Sequence, residues 1–153
     1  MLHHADEADG VTIVTNLNGV LCRYLNRLDA KSPWGGFYFE IDPNFKRDGL
    51  TNARIDVEYL TTQNNGFRIQ FDGTRNGRHD AYVPAVPEDS TLTRWVTGAY
   101  YARIPVVGTW AVATFQITNA TFMNSLNGHA DFRLEVAPPE LYVRRVTVTR
   151  VHP

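Results

Sequence analysis

Apolar and polar residues alternate with a period of two through most of the chain, most clearly between residues 108 and 136. Ala111, Ala113, Phe115 and Ile117 share one parity there. So do Ala130, Phe132, Leu134 and Val136, with Asp131, Arg133 and Glu135 on the other parity. One apolar face at that period predicts strands half buried in an antiparallel sheet. Residues 118 to 129, between the two, are rich in Asn, Thr and Gly. A connection of that length suits a crossing between sheets, not a tight hairpin.

The same pattern predicts strands over residues 11–15, 20–25, 37–42, 54–60 and 67–71. Phe37, Phe39 and Ile41 oppose Tyr38, Glu40 and Asp42. Ile55, Val57 and Tyr59 oppose Arg54, Asp56 and Glu58, and Phe67, Ile69 and Phe71 oppose Arg68, Gln70 and Asp72. Asn16, Asn18 and Gly19 mark a turn between the first two strands. Asn64-Asn65-Gly66 is the strongest hairpin signal and predicts that the strands flanking it pair. From residue 73 to 90 the alternation weakens (DGTRNGRH, then Val83-Pro84 and Val86-Pro87). That stretch reads as a long surface loop with at most a short strand at 81–83. Residues 91–104 are irregular but rich in strand formers.

Pro138-Pro139 breaks the chain before a closing strand at 141–151. Leu141 and Val143 are odd-numbered there, Val146 and Val148 even, so one extra residue near Arg144-Arg145 would repair the register as a β-bulge. No stretch concentrates Ala, Leu, Glu and Lys at helical spacing. The expected fold is all-β: a two-sheet antiparallel sandwich of the jelly-roll type with about 8–10 strands. Residues 9–153 are expected to form one domain, preceded by a flexible segment, residues 1–8.

A net charge of −1 gives no bulk electrostatic reason to expect nucleic acid as a partner. No apolar run approaches the roughly 20 residues that span a bilayer. Cys22 is the only cysteine, so neither an intrachain disulfide nor a cysteine zinc site is available. Its apolar neighbourhood, GVLCRYL, predicts a small buried side chain. The five histidines show no metal-site spacing, and no G-x-S-x-G, H-E-x-x-H or P-loop is present. Carboxylates are spread evenly over strand faces; Asp56 with Glu135 is a conceivable acid–base pair.

Several ordered motifs carry more than periodicity. They are FYFEIDPNF (37–45), VEYL (57–60) before FRIQFDG (67–73), GTWAVATF (108–115), ATFMNSLNGHADFRL (120–134) and LYVRRVTV (141–148). Together they resemble the galactose-binding-like jelly-roll modules appended to bacterial glycoside hydrolases and other secreted polysaccharide-active proteins. The likeness runs over residues 9 to 150. It implies carbohydrate binding, an extracellular setting and, as often in such sandwiches, a structural calcium ion. The oxygen-rich turns from Asp6 to Asp9 and from Asp42 to Asp48, with Asp9, Asp42 and Asp48 as candidates, are the sources for such an ion.

A sugar site pairs an aromatic platform with planar polar side chains. Trp95, Tyr100 and Tyr101, beside the long loop, are the aromatic candidates, with Trp34 a fourth. Aromatics so placed also serve to cap a core edge. Arg68, Gln70 and Arg133 are the polar candidates, on a mixed donor–acceptor face that would otherwise be a solvated surface with cross-strand ion pairs. The expected function is non-catalytic binding of a polysaccharide, alongside other modules of a parent protein or as a homo-oligomer. The alternative is an assembly subunit of a surface layer, fibre or capsid-like array, joined by an exposed edge strand or the termini. Glycan cleavage is a third reading.

Overall fold

The computed structural model describes residues 2–5, 11–26, 35–47, 49, 52–62, 66–88, 93–96, 99–103, 107–136 and 141–152. For residues 2–5, 26, 93–96, 99–101 and 103 it describes the backbone alone. Two antiparallel sheets face each other. The first runs β1 (Leu2–Ala5), β4 (Gly35–Ile41), β12 (Phe132–Val136), β6 (Gly66–Arg75), β10 (Ala99–Arg103) and β9 (Thr93–Val96). β7 (Arg78–Pro84) pairs with the later part of β6, beyond the residues that meet β10. The second runs β2 (Val11–Leu17), β3 (Val20–Asn26), β13 (Leu141–Arg150), β5 (Ala53–Thr61), β11 (Ala111–Ile117) and β8 (Val86–Pro87).

The apolar parities fill the space between the sheets, as expected of a sandwich. Phe37, Phe67, Phe71 and Phe132 from the first sheet meet Ile55, Tyr59, Phe115 and Ile117 from the second, all essentially inaccessible to water. Each such side chain stabilises the fold by about 1.5–3 kcal/mol relative to exposure. Cys22 is buried as its neighbourhood predicts, and burial pushes its thiol pKa up. The 118–129 segment does cross between sheets, from β11 to β12. The bulge in β13 falls between Val143 and Arg145.

Two expectations need correcting. The strands flanking residues 64–66 do not form a hairpin, because β5 belongs to the second sheet and β6 to the first. The stretch from Gly73 is not a long loop: β6 continues to Arg75 and turns through Asn76-Gly77 into β7. Asn76 (φ 54°) and Gly77 (φ 74°) both take the left-handed backbone of a two-residue hairpin turn. Asn18-Gly19 does the same between β2 and β3.

A single helical turn, α1 (Pro43–Lys46), follows β4. Pro43 opens it with a preset φ, and Asp42 caps it by accepting from the Asn44 N–H at 2.8 Å. This turn carries Lys46 back over the crossing segment.

Candidate ligand-binding face

The outward face of the first sheet is built by strand register. Arg133 in β12 lies opposite Tyr38 in β4 on one side and Gln70 in β6 on the other. One pair along, Glu135 lies between Gly36 and Arg68. Phe132 and Leu134 take the intervening positions and face the core, so Arg133 and Glu135 must face out. The sequence candidates Arg68, Gln70 and Arg133 thus come together on three adjacent residues' width of sheet. The remaining polar parity, Arg54–Glu58, is on β5 in the other sheet and takes no part.

Arg133 organises this face. Its Nη1 donates to the Tyr38 hydroxyl at 2.8 Å, Nε to Gln70 Oε1 at 2.9 Å and Nη2 to Glu135 Oε1 at 2.7 Å. Arg68 Nε donates to the other oxygen of Glu135. Tyr82, from β7, stacks on the Arg133 guanidinium with its ring centroid 4.7 Å away, a cation–π contact. The Tyr82 hydroxyl donates to Asn127 Oδ1 at 3.3 Å. Tyr38 is fully buried although it faces outward, because Leu126 and Ala130 of the crossing segment cover it. The side chains of Arg68, Arg133 and Glu135 retain 22%, 13% and 6% exposure. Held planar groups with some access to solvent can donate to and accept from hydroxyls at little entropic cost.

The crossing segment is held by two buried carboxylates. Asp72 Oδ2 accepts from the Met123 and Ser125 N–H groups at 2.6 and 3.0 Å. Its Oδ1 meets Thr121 Oγ1 at 3.1 Å and His79 Nε2 at 2.5 Å. Burial pushes this carboxyl up, but the bonds from His79, Ser125, Thr121 and Met123 outweigh it and hold the pKa below the ordinary aspartate value. Asp131 accepts from the Ile41 and Asn124 N–H groups and pairs with Lys46 at 2.9 Å. There burial prevails over those donors and raises the pKa. Both aspartates have the parity of exposed residues, yet neither is accessible. The crossing segment folds over them.

Ser125 Oγ lies 3.3 Å from His79 Nε2, the same nitrogen that meets Asp72. A serine–histidine–acid relay needs its two partners on opposite ring nitrogens, so this is a structural cluster, not a triad. Asp56 and Glu135 belong to different sheets, on opposite outer faces, and cannot act on one bond. Among the described residues no three His, Cys, Asp or Glu side chains converge as metal ligands. Asp42 is committed to capping α1, while Asp9 and Asp48 lie outside the described residues.

Trp34 also lies outside them. The backbone of Trp95, Tyr100 and Tyr101 runs in β9 and β10, where Trp95 pairs opposite Tyr100. Both strands belong to the sheet that carries Arg68, Gln70 and Arg133. Tyr38, Tyr82 and Lys46 were not singled out by the sequence. The Asn76-Gly77 dipeptide would have pointed to β7, and so to Tyr82.

No protein-family model matches the chain, and no curated protein matches it in sequence. Among solved structures, the N-terminal endo-1,4-β-D-xylanase 10B of Clostridium thermocellum, comprising CBM22-1 and GH10 modules and complexed with xylohexaose, is similar in fold. The TM-score is 0.55 at 12% identity, and the match covers 99% of this chain and 26% of that one. This chain therefore shares its two-sheet β-sandwich fold with part of that protein.

Proposed function

We propose that the domain binds a polysaccharide on the outward face of its first sheet, without cleaving it, as a module of an exported protein. The observation that carries this reading is the row Tyr38–Arg133–Gln70 with Glu135 and Arg68 beside it, fixed by mutual hydrogen bonds. Arg68 and Arg133, which keep solvent access, supply donors to sugar hydroxyls, while the buried Gln70 and Glu135 hold them in place. Tyr82 supplies an aromatic surface beside them. The fold shared with a xylanase that carries a CBM22-1 module and was complexed with xylohexaose supports the same class of ligand.

The test is a glycan array on the purified domain, followed by calorimetry on the best ligand. Losing a hydrogen bond to a charged side chain costs about 1.5–3 kcal/mol, roughly a 10-fold to 100-fold loss of affinity. Arg68→Ala and Tyr82→Ala should show such losses, while Glu58→Ala on the opposite sheet should bind normally. A folded sample silent across plant, algal and bacterial glycans would refute the proposal.

One observation favours the assembly reading instead. Val11, Ile13 and Val14 on edge strand β2, with Leu21 on β3, are all exposed, and β2 carries no charged residue. An uncharged apolar edge is suited to pairing with another chain. Concentration-dependent oligomers abolished by Ile13→Lys, in a protein without glycan affinity, would move the function there.

A further inference from the structure

We propose that Lys46 serves as the built-in cation of an oxygen cage formed by the crossing segment, and that the domain therefore holds this segment without calcium. Of the sources first expected for a structural calcium, Asp42 caps α1, with one oxygen on the Asn44 N–H, and Asp9 and Asp48 lie outside the described residues. Oxygens do converge on the Lys46 ammonium. Phe122 O lies at 3.2 Å, Asn124 Oδ1 at 2.8 Å, and Asp131 Oδ1 and Oδ2 at 3.1 and 2.9 Å. A backbone carbonyl, a side-chain amide oxygen and a bidentate carboxylate are the donor types that hard cations take. Their distances here are those of N–H···O bonds, longer than calcium–oxygen contacts.

The cage is shaped around its occupant. Asn124 Nδ2 donates to His129 O at 2.7 Å, which leaves the amide oxygen turned to Lys46. Phe122 (φ 43°) and Asn124 (φ 58°), which supply two of these oxygens, both adopt the left-handed backbone. Asp131 is inaccessible to water, and the lysine side chain is only 14% exposed. A positive charge placed among these oxygens offsets the cost of burying the carboxylate. Lys46 provides it from the end of α1, tethered to the chain.

Withdrawing the ammonium should expose a site for a free cation. The test compares melting temperatures of the wild-type domain, Lys46→Ala and Lys46→Met in chelator, in calcium chloride and in methylammonium chloride, at matched ionic strength. The wild type should melt at one temperature in all three. Lys46→Ala should melt several degrees lower in chelator and recover in calcium or methylammonium. Lys46→Met, whose tail fills the cage, should melt lower without recovery. If Lys46→Ala is unfolded in chelator, a folded spectrum restored by either cation supports the proposal, and no restoration refutes it. A wild type stabilised by calcium would overturn it. So would a Lys46→Ala that melts like the wild type, or one that is destabilised and recovers in neither cation.

Discussion

Replacing Asp72 by alanine should loosen the crossing segment at its anchor. The carboxylate is inaccessible, and one of its oxygens accepts two backbone N–H groups, from Met123 and Ser125. A buried donor stripped of its acceptor costs about 1–3 kcal/mol, so two cost roughly 2–6. The exposed side chains of Met123 and Ser125 let water reach these groups after the substitution, which favours the lower half of that range. A loss of about 3 kcal/mol lowers the melting temperature of a domain this size by roughly 6–12 °C. Urea denaturation followed by tryptophan fluorescence measures the free energy, with an unchanged slope showing that the folded state stays compact.

The pH dependence follows from the same carboxyl. Its folded pKa is depressed, so its stabilisation is present above the unfolded value of about 3.9 and lost as pH falls through the folded value. The wild type should lose this increment in acid, and Asp72→Asn should not. A loss below about 1 kcal/mol for Asp72→Ala, within the range of ordinary surface changes, would refute the role assigned to this anchor.

Gly73→Ala would place a Cβ 2.5 Å from Phe71 Cε2 and 2.8 Å from Asn119 O, where the crossing segment meets β6. Overpacking of that kind costs typically 1–3 kcal/mol, readable as a lowered urea midpoint. Gly77→Ala meets no neighbour within 4 Å but is forced to φ +74°. It should cost about 1–2 kcal/mol by conformation alone, and Gly77→Asn, which tolerates that backbone, should cost less in the same assay. Arg133→Met removes the donor shared by Tyr38, Gln70 and Glu135 and should destabilise by about 1.5–3 kcal/mol in thermal melts. Arg68 and Tyr82 are therefore the cleaner probes of binding.

Alternation made the inward and outward faces of most strands legible, because a half-buried strand can satisfy its core only with one parity. It could not assign strands to sheets. β5 and β6 both point apolar residues into the same core, from opposite sides, and nothing in their patterns distinguishes that from a hairpin. Only residues 81–83 of β7 were legible, because its residues are mostly half-exposed, with Val83 its one buried side chain. Asp72 and Asp131 read as solvent-facing because parity describes the sheet alone, and here a segment from elsewhere folds over the strand. Arg68, Gln70 and Arg133 were legible as outward-facing polar positions, while the pairing of β6 with β12 that brings them together comes from the fold. Lys46 lay in a polar turn whose direction only the cap at Asp42 reveals.

The central claim concerns where sugar binds, and an isotope-edited NMR titration tests it most directly. Xylohexaose and the best glycan from the array would be titrated into the labelled domain, with backbone shifts mapped onto the fold. Binding on the proposed face predicts that the largest changes fall on β6, β7 and β12, centred on Arg68, Gln70, Tyr82, Arg133 and Glu135. Shifts concentrated on β5 and β11, or on the β2–β3 hairpin, would contradict it.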